Sequence, residues 1–162
     1  MKVALICCIF FWMTPLSVRV TQEPVTPVAD DPRCIRGLAW IDENAAWVTE
    51  QQIRLTEIPA PEFGEARRAA ALRDLLSATQ LQVRIDKTGN VIAERVFADR
   101  KSSSDAKNVI LIAAHLDTVF PANTDVRVRR DNGRLLAPGI SDNGAGLAAL
   151  VGLARALAES GV

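Results

Sequence analysis

The sequence contains one histidine and three cysteines in 162 residues, and neither sign of charge is in excess. Each scarcity excludes something. A catalytic zinc centre draws on about three protein ligands, and a two-metal centre on more. The lone His115 therefore has to be joined by carboxylates in any such site. Cys7 and Cys8 stand together in an N-terminal apolar run and would leave with it, so Cys34 alone remains. One cysteine builds no internal disulfide framework. The 19 basic residues balance 19 acidic ones. No basic stripe points to nucleic acid, and no acidic block points to a solvating tail. Internal repeats and long low-complexity tracts are also absent.

What remains fits one ordinary domain preceded by an apolar segment. Hydrophobic residues make up 49% and charged residues 23%, and a chain of this length can bury a real core. Lys2 followed by the unbroken apolar run Val3 to Met13 has the anatomy of a signal peptide, with a cleavage region near Thr14-Pro-Leu-Ser17. The alternatives are a short hydrophobic anchor and a misassigned start codon. The run is too short for a stable membrane span. Thr21 to Pro32 holds three prolines among small and acidic residues, the composition of an extended linker. The expected organisation is a signal peptide over 1–20, a linker over 21–36 and one folded domain over 37–162, in a secreted or periplasmic protein.

Apolar positions at helical spacing predict a helix over Ile41 to Ile58, ended by Pro59. A second helix is expected over Glu62 to Ala78, with Ala69, Leu72, Leu75 and Leu76 inward and its arginines on a solvated face. Leu81 to Ile85 and Val91 to Val96 alternate around Asp86-Lys-Thr-Gly-Asn90 and read as a hairpin. Ala98 to Lys107 reads as a polar loop. Asn108 to Ala114 is apolar throughout after its start, like a strand covered on both faces. Asp131-Asn-Gly133 is a strong hairpin turn signal between Val126–Arg130 and Arg134–Leu136. An Ala/Leu-rich helix is expected over Asn143 to Ser160, with Gly161 at its stop.

The chemistry gathers at two places. His115 and Asp117 follow the apolar run at its carboxyl end, where open α/β sheets place ligand sites. Residues i and i+2 of an extended chain point to the same side. A histidine can bind zinc through one ring nitrogen while a carboxylate holds the N–H of the other. Taken alone, His115 is equally a polar residue at a strand end, and Asp117 the cap of a turn. Asp142 lies in Pro138-Gly-Ile-Ser-Asp-Asn-Gly-Ala-Gly146, just before a helix. Its carboxylate could bridge two metals, or could simply cap the helix. A shared metal requires the three side chains to come within about 8 Å of one another, because zinc–ligand bonds are only about 2.0–2.2 Å.

In order along the chain stand Glu57-Ile-Pro-Ala-Pro61, Asp86-Lys-Thr-Gly-Asn-Val-Ile92, His115-Leu-Asp-Thr-Val119 and Gly139-Ile-Ser-Asp-Asn-Gly-Ala-Gly146. Together they resemble the di-zinc exopeptidase and deacylase family of peptidase T, acetylornithine deacetylase, succinyl-diaminopimelate desuccinylase and glutamate carboxypeptidase. The resemblance covers roughly residues 44–162. It implies a three-layer α/β/α zinc-peptidase-like domain with a mixed sheet, of which this sequence holds the N-terminal part. It further implies that His115 is a terminal zinc ligand and that Asp142 bridges two zincs and precedes a cis peptide bond. Asp117 would be the residue that orients His115. Two Zn2+ would fill a complete site, with Co2+ or Mn2+ as substitutes. The reaction implied is hydrolysis of an amide bond at the end of a small peptide or N-acyl amino acid by a metal-activated water. The full-length protein would form a homodimer, with neither nucleic acid nor membrane as partner.

Two departures stand out. Asn143 occupies a position where the family has a charged residue, and the Asp-Asn-Gly-Ala-Gly form also resembles a related aminopeptidase family with a similar catalytic core. The family's Glu-Glu pair, which supplies the general base and a ligand, would lie past Val162, as would a later carboxylate and a later histidine. The expectation is therefore a chain inactive by itself. The alternative is a catalytically inactive remnant acting as a binding or interaction module. A third reading, an ordinary α/β binding domain without metal, requires that His115, Asp117 and Asp142 do not converge.

Overall fold

The computed structural model describes residues 30–95 and 110–161. The expected signal peptide, most of the linker and the polar loop after Arg95 lie outside the described residues.

The first helix, α1, runs Pro32–Glu43. The Asp31 carboxylate caps it, accepting from the Arg33 backbone N–H at 2.8 Å. Pro32 sits in the first turn, where its missing N–H costs nothing. Residues 32–36, expected to belong to the linker, are therefore helical, because Asp-Pro at a helix start is a cap as well as a linker signal. Asn44 leaves helical geometry at φ −111°, ψ 15°, and its side-chain amide donates to the Trp40 carbonyl at 2.8 Å. The single helix expected over Ile41 to Ile58 is thus divided between α1 and α2, which runs Ala45–Thr56. Helix α3 runs Ala66–Ser77, shorter than expected at its start. There, Pro61 to Gly64 close a turn (Gly64 N–H to Pro61 carbonyl, 2.8 Å) with Phe63 at φ 62°.

Strands β1 (Gln82–Ile85) and β2 (Val91–Glu94) pair antiparallel, Val83 opposite Ala93 and Ile85 opposite Val91. Strands β3 (Arg129–Asp131) and β4 (Arg134–Leu136) form the second expected hairpin. Asn132 and Gly133 both take positive φ between them, 46° and 76°, as the favoured two-residue turn demands. A wide helical turn over Ile140–Ala145 leads into α4, Gly146–Ser160. Gly161 closes α4 in the left-handed region at φ 73°.

Helix α4 is the centre of the packing and lies against α1, α2 and α3. Leu147 and Val151 are fully buried with Leu55, Leu72, Leu76 and Ala154. Val83, Val91 and Ala93 lay one face of the first hairpin on this cluster, and Ala114 and Leu116 join it from the site segment. No described helix is long and apolar enough to cross a membrane.

The architecture is mixed α/β, but the described strands form two separate two-stranded antiparallel sheets. The three-layer arrangement around a mixed sheet is not visible in them. The strand expected over Asn108 to Ala114 is corrected in its described part. Residues 110–117 form no strand, and Ile110 and Leu111 are 89% and 86% exposed. A strand covered on both faces needs neighbours that take up its N–H and C=O groups. Among the described residues the segment meets another strand-like stretch only at the parallel bridge of Thr118 to Pro61.

Candidate metal centre

The three expected site residues converge. His115 Nε2 stands 2.7 Å from the Asp142 carboxylate. His115 Nδ1 stands 3.1 Å from the Asp117 carboxylate and 3.1 Å from the Asp117 backbone carbonyl. A carbonyl can only accept, so Nδ1 carries a proton. Nε2 faces the Asp142 carboxylate at hydrogen-bond distance, so a proton, or in its place a metal cation, belongs between them. Accordingly Asp142 first, then Asp117, raises the His115 pKa above its ordinary value against partial desolvation.

The cap alternative for Asp142 fails on geometry. Asp142 lies inside the wide turn at φ −114°, ψ 93°, and neither that turn nor α4 receives a side-chain cap bond. Its carboxylate points instead at His115, and the side chain is 88% exposed. The Asp142–Asn143 peptide bond is cis, and the Asn143 amide donates to the His115 carbonyl at 3.4 Å. The non-converging third reading is therefore set aside.

Zinc can be tested against these donors. Two donors on one tetrahedral ion with bonds of 2.0–2.2 Å stand about 3.4 Å apart. The pair at 2.7 Å would have to open by about 0.7 Å on that geometry, which an exposed aspartate accomplishes by a small rotation. Imidazole with a second carboxylate on its far nitrogen is a favoured zinc donor. The donors fit zinc in kind. In number they do not complete a site, because no three His, Cys, Asp or Glu side chains among the described residues are placed to hold one ion together. The surroundings are open. The cleft of about 610 Å³ lined by Asp125, Arg127, Arg129, Leu136, Ala137 and Pro138 contains none of the three side chains.

The backbone that carries these groups is anchored by a residue the sequence hid. Arg68 was expected on a solvated helix face, but it is 1% exposed. Its Nη1 donates to the Leu116 carbonyl at 2.8 Å, its Nε and Nη2 to the Ile58 carbonyl at 3.1 and 2.6 Å, and Nη2 also to the Thr56 carbonyl at 3.3 Å. Burial pushes the guanidinium pKa down, and the charge of Asp117 offsets part of that. The available signal was position: Arg68 precedes Ala69 and stands four residues before Leu72, both buried, so it lies at the edge of the inward stripe of α3. The second half of the site hangs on α2. The Gln52 side-chain amide donates to the Ile140 carbonyl at 2.8 Å, and a Cβ on Gly144 would meet the Thr56 hydroxyl.

Comparison with known proteins agrees in kind. The model of Peptidase family M28, a family of zinc-dependent aminopeptidases and carboxypeptidases, matches residues 90–162. The match takes in His115, Asp117 and Asp142, and makes this part of the chain similar to a metallopeptidase-type hydrolase. It does not carry the narrower resemblance to peptidase T, acetylornithine deacetylase, succinyl-diaminopimelate desuccinylase and glutamate carboxypeptidase. No curated protein matches the chain.

Proposed function

We propose that this chain carries part of the centre of a zinc-dependent peptidase that removes a terminal residue or acyl group from a small peptide or N-acyl amino acid. The observation that carries the reading is the His115 imidazole held between Asp117 and Asp142, inside the stretch similar to the peptidase family. His115 through Nε2 and Asp142 through its carboxylate would hold zinc, and Asp142 would be shared with a second ion. When bound, zinc supplies Lewis acidity at a scissile carbonyl and lowers the pKa of a nearby water. Asp117 fixes the Nδ1–H tautomer and strengthens Nε2 as a donor. Asn143 holds the His115 carbonyl, and the Gly139 to Gly146 turn presents the Asp142 carboxylate on the same side. A three-layer domain, an exported location and dimerisation belong to the same proposal.

A second reading is favoured by one observation. The exposed apolar run Ile110 to Ile112 beside a two-donor centre suits an inactive remnant that pairs with another chain. The two readings separate in one experiment. Zinc is titrated into this chain 15N-labelled at the ring of its single histidine, and release of terminal residues from dipeptides and N-acyl amino acids is assayed with the product of the complete reading frame. The peptidase reading expects a zinc-dependent shift at Nε2 and hydrolysis, both lost in Asp142→Ala. Zinc binding without hydrolysis leaves the remnant, and no shift at any zinc concentration removes the metal centre altogether.

A further inference from the structure

We infer that Arg68 is a positioning residue for the His115–Asp117 pair, acting through the Leu116 carbonyl that lies between them. The inference rests on reading those two residues as the site and adds the element that aims them.

His115 and Asp117 carry the chemistry, yet no described strand holds their backbone in a ladder. Residues 110–117 form no strand with any described segment. Besides the Asn143 amide on the His115 carbonyl, two grips among the described residues hold this segment. Beyond the pair, the Thr118 N–H donates to the Ala60 carbonyl at 2.8 Å, and the Thr118 hydroxyl to the same oxygen at 3.3 Å. Within the pair, the Arg68 fork spans the Leu116 carbonyl on one side and the Ile58 carbonyl on the other. A planar guanidinium with donors at fixed angles transmits orientation as well as proximity. Fixing the Leu116 carbonyl fixes the plane of the Leu116–Asp117 peptide. That plane, together with the Thr118 grip on the next peptide, sets where the Asp117 carbonyl and side chain meet His115 Nδ1, each at 3.1 Å.

The surroundings of Arg68 are unusual for a purely structural arginine. It makes no ion pair among the described residues, and its hydrogen bonds there go to main-chain carbonyls. A buried charge requires satisfied donors, and here the donors are satisfied by the ends of two segments that the Thr118–Ala60 contact joins a little further along. The Ile58 to Ala60 stretch leaves α2, and the other is the site segment. The charge of Asp117 offsets part of the cost of burying the guanidinium.

The test uses the full chain, without added metal, 15N-labelled at histidine ring nitrogens. With one histidine in the sequence, the ring signals need no assignment. At pH 6 the wild type is expected to show an Nδ1–H proton protected from exchange. Arg68→Met keeps the apolar stem and removes the fork. It is expected to speed Nδ1–H exchange at least tenfold while Trp40 and Trp47 fluorescence reports a native core. Arg68→Lys keeps the charge without the fork and is expected to recover melting temperature but not Nδ1–H protection. A folded Arg68→Met protein with native ring signals overturns the inference. Should Arg68→Met not fold, the wild type decides. Slowly exchanging Arg68 guanidinium protons with cross-peaks to the Leu116 and Asp117 backbone support the inference, and rapidly exchanging ones overturn it. Zinc titration of the wild type tests the metal centre separately, so failure of one reading leaves the other standing on its own result.

Discussion

Gly144→Ala probes the turn that carries Asp142, and its sign can be worked out in advance. Gly144 does not take a positive φ, so alanine is allowed there by the backbone and would by itself stabilise by about 0.4–1 kcal/mol through the unfolded chain. Space works against it. The new Cβ would run into the hydroxyl of Thr56, which is fully buried, and would lie 3.0 Å from the Gly139 carbonyl oxygen. The Thr56 hydroxyl is itself engaged, donating to the Gln52 carbonyl at 2.7 Å, so it cannot rotate away freely. Overpacking of this kind costs about 1–3 kcal/mol. The clash outweighs the entropy gain, for a net loss of about 1–2 kcal/mol. Urea unfolding followed by tryptophan fluorescence measures it. The cause is isolated by repeating Gly144→Ala in a Thr56→Ala background, where the obstructing hydroxyl is gone. More than half of the loss should be recovered, giving a coupling well outside the few tenths expected of independent sites. Additive single and double variants would refute the steric argument. In the Gly144→Ala protein the displaced turn should also draw Asp142 away from His115, so the ring pKa should move back toward about 6.5, the ordinary histidine value.

Three further outcomes are expected. Asp117→Asn removes the carboxylate from Nδ1 but leaves the backbone carbonyl at 3.1 Å. The loss in zinc affinity should therefore lie at the lower end of the usual range for such a contact, about tenfold by chelator competition, and an unchanged affinity would remove Asp117 from the centre. Asp86 accepts from Asn90 and Thr88, whose hydrogen bonds lower its pKa from 3.8 to about 2. A depressed carboxylate stabilises fully above its ordinary pKa and loses that contribution as pH falls through the folded value. Hairpin amide protection should then drop between pH 4 and about 2, and a flat profile in the wild type, matching Asp86→Asn, would contradict this. Leu147→Ala opens a cavity at the fully buried contact of α4 with α2 and α3, and should cost about 2–5 kcal/mol in denaturant unfolding. A loss under about 1 kcal/mol would mean that the core collapses around it.

The sequence alone determined the local structures whose causes are local. Asn132-Gly133 forces a hairpin because both turn positions need positive φ, and Gly161 stops α4 for a similar reason. The spacing of His115 and Asp117 also suffices to bring them together, since two residues apart on extended chain share a side. Whether Asp142 caps a helix or meets His115 was open until the turn over Ile140–Ala145 was seen to aim it, because that depends on the docking of α4 against α2. The break at Asn44 and the exposure of Ile110 and Leu111 were likewise decided by tertiary context. An apolar run is a covered strand only where neighbouring strands take up its backbone. Arg68 is the clearest case. Composition assigns an arginine in an Ala-rich helix to solvent, and only the meeting of three carbonyls from two distant segments makes its burial favourable.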